Sequence, residues 1–322
     1  MSNEPEVKDE ATLSEKLDRL VKEIETVFLG KERQVELALV TLFAGGHLII
    51  EDVPGLGKTV LANAMARALD CDFRRIQFTP DLLPSDLLGV TVYRQETAEF
   101  TFKPGPVFAN IVLADEINRA TPRTQSSLLE AMNEAQVTVD GVSHKLPQPF
   151  CVLATRNPFE PEGTYYLPES ELDRFFLCME IGYPDTEVGK EIIRYQQQEH
   201  PLEQMSPVMG NEDVIAIQKK VRRVEVSEDV LDYMMELVER TRENDRVVIG
   251  ASPRAGIHLY RASQALALIR GRDYCQPDDV KELAIPVLAH RIRCKGVGSE
   301  TTGFRTASGV VRNLLERVPV PI

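Results

Sequence analysis

The segment that most restricts the fold is His47–Thr59. A strand-length apolar run, His47–Glu51, leads into Asp52-Val53-Pro54-Gly55-Leu56-Gly57-Lys58-Thr59, and a helical pattern follows over Thr59–Leu69. Strand, glycine-rich loop and helix in that order are the context of a P-loop. The two glycines let backbone N–H groups wrap phosphate oxygens, and the helix N-terminus adds the positive end of its dipole. The pattern assigns a nucleotide to Pro54, Gly55, Leu56, Gly57, Lys58, Thr59 and Val60. Lys58 is expected to reach the β- and γ-phosphates, and the Thr59 hydroxyl to ligate Mg2+. Where the general GxxxxGK[ST] pattern opens on Gly, this chain has Asp52, a position expected only to turn the chain out of the strand.

Four more runs have strand length: Phe73–Phe78, Asn110–Ala114, Phe150–Thr155 and Phe175–Ile181. Helical patterns follow several strands, most clearly Thr59–Leu69 and Thr124–Glu134. That alternation predicts an α/β fold around a five-stranded parallel sheet. Val90–Phe102 alternates with period two, and Gln136–Leu146 carries an Asp-Gly turn signal, so both are expected to be inserted hairpins. Residues 1–11 are expected to be a disordered tail. A first helix is expected from Thr12, where Thr12 and Glu15 suit a capping box. A second is expected over Lys31–Ala44. After Tyr183-Pro184-Asp185 the pattern turns helical near 186–199, 211–222, 227–243, 254–270, 277–294 and 305–317, with a Gly-rich loop at 296–303. The expected division is therefore a tail (1–11), an αβα nucleotide-binding domain (12–183) and an all-α lid (184–322).

The run Ile111-Val112-Leu113-Ala114 ends in Asp115-Glu116, two acids at the carboxyl edge of the sheet. With a P-loop upstream, Asp115 is expected on Mg2+ and Glu116 on the attacking water. Asn157 ends the next strand, where its amide can reach the γ-phosphate or that water. Arg174 precedes the last strand and can face a neighbouring subunit; the competing reading is an ion pair with Asp173 or another acid. Arg254 follows Ser252-Pro253, a cap and first-turn pair that places it at a helix start, where anions are favoured. The order of P-loop, acid pair and polar strand end separates AAA+ enzymes from other P-loop proteins.

The segment Arg75–Gly89 (RIQFTPDLLPSDLLG) resembles the signature of the MoxR family of AAA+ ATPases. So do Gly105-Pro106-Val107-Phe108, Asp115–Ala120, Leu167-Pro168-Glu169 leading to Asp173-Arg174-Phe175-Phe176, Ala251–Arg254, and Asp278-Asp279-Val280 leading to His290-Arg291. The resemblance spans nearly all of the chain after the tail. It implies ATP and Mg2+ as cofactors, a ring usually of six copies, Asn157 as sensor 1, Arg174 as an arginine finger acting in trans and Arg254 as sensor 2. It also implies a chaperone-like remodelling activity with a von Willebrand factor A-domain partner. Two departures stand near the site: Arg156 where the family usually has Gln, and Tyr166 where it usually has Pro.

Composition narrows the alternatives. A net charge of −13 disfavours a helicase or DNA-loading motor, because phosphate neutralisation needs excess Lys and Arg. The run Lys219–Arg223 is expected to be a solvated helix end. A scaffold gated by nucleotide without hydrolysis would not need Glu116. The magnesium chelatase ATPase subunit is a near relative by architecture. The five cysteines lack CxxC spacing and the five histidines lack HxxH spacing, so neither zinc nor disulfides are expected. Met1–Ala11 has no apolar signal core, and Leu37–Ile50 is too short and interrupted to span a bilayer, so a cytoplasmic protein is expected.

Overall fold

The computed structural model describes residues 10–157, 163–195, 201–296 and 303–321. The chain opens with α1 (Glu10–Glu25) and α2 (Glu32–Phe43), then β1 (Leu48–Glu51), α3 (Lys58–Ala68) and β2 (Phe73–Gln77). A short α4 (Pro84–Leu88) leads to the first hairpin, β3 (Gly89–Arg94) and β4 (Glu99–Pro104). Next come β5 (Ile111–Asp115), α5 (Pro122–Glu134) and the second hairpin, β6 (Gln136–Val139) and β7 (Val142–Lys145). Its turn uses positive φ at Asp140 and Gly141, as the Asp-Gly pair foretells. β8 (Cys151–Arg156), the single-turn α6 (Glu169–Leu172) and β9 (Leu177–Met179) finish the sheet half.

The sheet is parallel throughout, in the order β2-β5-β8-β1-β9. Its central strands read as unbroken apolar runs because both faces are covered. Leu48, Ile50, Ile111, Leu113, Leu153 and Leu177 pack with α1, α2 and α3 on one face. Ile49, Val112, Ala114, Val152, Ala154 and Cys178 pack with α5 on the other. The ends of β1, β5 and β8 therefore share one edge, where the chemistry-bearing residues collect.

The second half runs through α7 (Thr186–Tyr195), α8 (Pro201–Gln204), α9 (Asn211–Val221) and α10 (Glu228–Glu243). It continues with β10 (Val247–Ile249), α11 (Pro253–Ile269), α12 (Pro277–Leu288), β11 (Arg293–Cys294) and α13 (Gly303–Arg317). Its apolar core is continuous with the α2 face of the sheet.

Three elements differ from the sequence reading, and some expectations fall outside the described residues. α1 begins at Glu10, so Thr12 is inside the helix and not its cap. Residues 1–9 of the expected tail, 196–199 of the expected helix and 297–302 of the Gly-rich loop are outside the described residues. The helical half also contains a two-stranded ribbon, β10 with β11, too short to show period-two alternation. The helix expected over 277–294 ends at Leu288. Pro286 lacks an N–H for the ladder, and Arg291 turns back to cap the Val287 carbonyl. Among the described residues no helix is long and apolar enough to cross a membrane.

Candidate nucleotide and metal site

The loop between β1 and α3 has Gly57 as the N-cap of α3 at φ +86°, a conformation an L side chain adopts only with strain. A Cβ there would also come within 3.1 Å of the Phe28 ring. Lys58 therefore begins α3 with its ammonium at the loop, where it donates to the Asp52 carbonyl at 2.5 Å. Partial burial lowers the Lys58 pKa, against the pull of Asp52, Asp115 and Glu116. The parallel order β5-β8-β1 brings the carboxyl end of β5, with its acid pair, to the same sheet edge as the loop after β1.

β5 delivers Asp115 at its last position, and the chain then turns sharply at Glu116, which sits at φ +57°. Thr155 on the adjoining β8 sets both acids. Its hydroxyl donates to Asp115 Oδ1 at 2.6 Å and accepts the Glu116 backbone N–H at 2.8 Å. From the other side, β2 contributes two side chains. Arg75 donates to Asp115 Oδ2 from Nε at 3.1 Å and from Nη2 at 2.6 Å. Gln77 donates to Glu116 Oε2 at 2.8 Å, and Arg119 joins the same oxygen at 3.0 Å.

The donor chemistry fits Mg2+. The Thr59 hydroxyl and the Asp115 carboxylate are hard oxygen donors, and Asp115 already receives the cationic Arg75. Among the described residues no cluster of three His, Cys, Asp or Glu could hold a metal without help. Magnesium is commonly held by one or two protein oxygens plus the phosphates of its nucleotide.

Asn157 is buried at the end of β8, between β5 and β1 in the sheet. Arg156, one residue earlier, accepts the Asp52 N–H through its carbonyl at 3.1 Å, but its side chain turns away from the loop. It crosses to its register partner Glu51 in a buried ion pair of 2.6 Å. Burial raises the Glu51 pKa and Arg156 opposes it. The departure at Arg156 is thus matched within the chain by Glu51 on the next strand. Tyr166 donates to Glu169 at 2.8 Å.

The two arginines make their contacts on α5 and beside α6. Arg174 donates to the Leu129 carbonyl of α5 at 3.4 Å, on the sheet face opposite α3. Asp173 pairs with Arg291 at 2.9 Å, so the ion pair considered for Arg174 belongs to its neighbour. Arg254 stands in the first turn of α11, with Ser252 as N-cap and Pro253 at the first helical position, as read from the sequence. It lies 3.9 Å from Asp173 and is half exposed.

A cavity of about 390 Å³ opens beside the P-loop. Its walls come from the turn after α1 (Val27, Phe28), the loop itself (Leu56) and the apolar side of α7 (Ile192, Tyr195). α7 has no buried residue of its own, so that apolar side looks onto the cavity.

Two family models match this layout: the ATPase family associated with various cellular activities (AAA) over residues 47–177, and the AAA lid domain over residues 239–308. The crystal structure of a candidate ATPase from Cytophaga hutchinsonii superposes with a TM-score of 0.88 at 38% identity, covering 97% of both chains. Bacillus subtilis YeaC is 46% identical over 95% of each chain. Chaperone MoxR1 of Mycobacterium tuberculosis is 41% identical over 86% of this chain and 75% of that protein. The chain belongs to the MoxR family of AAA+ ATPases.

Within this MoxR-family chain the sequence reading located the acids and the P-loop but missed what holds them. Arg75 and Gln77 are polar residues on an edge strand, and Gln77 is in register with Asp115. That pairing is a sheet property with no local mark in the sequence. Thr155 sits in a run that reads as plain strand. Cavity residues from the turn after α1 and from α7 are far apart in sequence, and only the fold unites them.

Proposed function

We propose that the protein binds ATP with Mg2+ at the P-loop and hydrolyses it, and that the nucleotide cycle moves a lid (184–322) against a core (12–183). The observation that supports this reading is Glu116 following Asp115 at the carboxyl end of β5, held by Thr155, Gln77 and Arg119, on the sheet edge it shares with the P-loop. The adenine base suits the apolar cavity. The phosphates suit the backbone of Pro54–Val60, with Lys58 exchanging the Asp52 carbonyl for a charged acceptor. Thr59 and Asp115 would hold Mg2+, which would neutralise phosphate charge. Glu116 takes the proton of the attacking water as general base, and Asn157 orients that water or the γ-phosphate. Arg254 leaves Asp173 for the γ-phosphate of its own site, and Arg174 serves a neighbouring copy in a ring, proposed to be hexameric.

The work done is proposed to be chaperone-like remodelling or maturation of protein clients together with a von Willebrand factor A-domain protein, in the cytoplasm. The net charge of −13 supports protein partners over nucleic acid. Glu116→Gln is expected to leave ATP affinity nearly intact and to slow hydrolysis by about 10²-fold or more, the scale for losing a general base. Lys58→Ala should weaken binding itself. Equal turnover by the Gln variant and the unaltered protein, measured as phosphate release, would remove Glu116 from the reaction.

A further inference from the structure

Asp52 stands where the general P-loop pattern has Gly, and its carboxylate is fully engaged. Oδ1 accepts the Val53 N–H at 2.9 Å, and Oδ2 accepts the N–H groups of Ile181 at 2.8 Å and Gly182 at 2.6 Å. Those two residues form the exit from β9 toward α7. From the other side, Lys31 Nζ donates to the Ile181 carbonyl at 2.8 Å and the Tyr183 carbonyl at 3.0 Å. An anion grips the amides of this turn and a cation grips its carbonyls, the arrangement in which each charge finds the backbone pole it attracts. Gly182, Pro184 and Lys31 are also walls of the cavity beside the P-loop. The backbone oxygen of Asp52 meanwhile holds Lys58. One residue thus touches the phosphate loop, its lysine and the wall of the base cavity.

We infer that Asp52, with Lys31, is a positioning residue that fixes the phosphate loop and the base cavity at the spacing of one nucleotide, so that ATP is distinguished from a bare triphosphate. This rests on reading the P-loop as an ATP site. A Gly at 52 leaves the Ile181 and Gly182 amides without their acceptor and frees the turn to drift. The loss then falls on the base end of the ligand and spares the phosphate end.

The test is calorimetric titration of the full chain with Mg·ATP and with Mg·tripolyphosphate, comparing the unaltered protein with Asp52→Gly and Lys31→Met. The preference for ATP over tripolyphosphate is expected to fall about 10-fold in each variant, close to the lower end of what one charge-assisted hydrogen bond is worth. Tripolyphosphate affinity should stay within about threefold, a change below the worth of one such bond. A merely structural role would weaken both ligands together. An unchanged preference, or proportional loss of both, overturns the inference; should Asp52→Gly fail to fold by circular dichroism, Lys31→Met decides it. Failure of the unaltered protein to bind ATP would instead bring down the reading of the P-loop itself.

Discussion

His47 shows how a single ring can be committed to one protonation state. It is buried at the start of β1, with Nε2 at 3.0 Å from the Met132 carbonyl and Nδ1 at 3.0 Å from the Val152 N–H. One nitrogen must donate and the other accept, so only the neutral ring satisfies both. Burial pushes its pKa down from 6.5 to about 4, and the Met132 bond opposes this only in part. A depressed histidine favours the folded state above the unfolded pKa and loses that contribution as pH falls through the window from 6.5 to 4. By linkage the loss at pH 5 is about 2 kcal/mol. His47→Gln, which keeps a donor for Met132, should show a difference in denaturation free energy between pH 7 and pH 5 that is smaller by about that amount. A His47 imidazole resonance titrating near 6.5 in the folded protein would contradict this.

At the scale of elements, the two inserted hairpins are joined and not independent arms. Phe102 of β4 stacks on His144 of β7 with ring centroids 3.8 Å apart and planes 14° apart, and Phe108 meets Phe102 edge-on at 5.5 Å. Aromatic pairs of this kind are worth about 0.5–1.5 kcal/mol beyond the area they bury. Phe102→Ala is therefore expected to speed amide hydrogen exchange in both 89–104 and 136–145 by up to about 10-fold, leaving β1, β5 and β8 unchanged. Faster exchange confined to 89–104 would show that the hairpins move separately. Each hairpin was legible from period-two alternation, and the second also from Asp140-Gly141. Their junction was not, because an aromatic stack across forty residues leaves no periodic trace.

For the whole molecule, the joint between lid and core is the decisive feature. Buried Arg291 reaches back from the turn after α12 to Asp173 and to the carbonyls of Phe175 and Phe176. Its pKa is lowered by burial to about 10, with Asp173 opposing the shift. Ser252, the cap of α11, donates to the same carboxylate at 3.2 Å. Asp173 thus gathers three lid side chains, counting Arg254, directly beside Arg174. If Arg174 serves a neighbouring subunit, Arg174→Ala and Lys58→Ala should each be nearly inactive, since an arginine finger is worth about 10³–10⁵ in rate. Mixed together they should recover ATPase activity, because an intact Arg174 can face an intact Lys58 across a subunit boundary. Absence of recovery, with subunit exchange demonstrated by energy transfer between labelled copies, would return Arg174 to its bond with Leu129 alone.

From the sequence by itself came whatever is encoded locally: the strand-loop-helix of the P-loop, the Asp115-Glu116 strand end, the Ser252-Pro253 helix start and the apolar runs of a sheet buried on both faces. Glycine, proline, caps and short periodicities act over a few residues, so their signal survives in one dimension. Tertiary structure alone decided which charges meet. Arg75 went to Asp115, Arg156 to Glu51, Asp173 to Arg291 and not to Arg174, and Asp52 to the amides of Ile181 and Gly182. Partners 40 to 130 positions apart are brought together by sheet order and by the docking of the helical half, and a charged residue carries no mark in the sequence of which opposite charge the fold will place beside it.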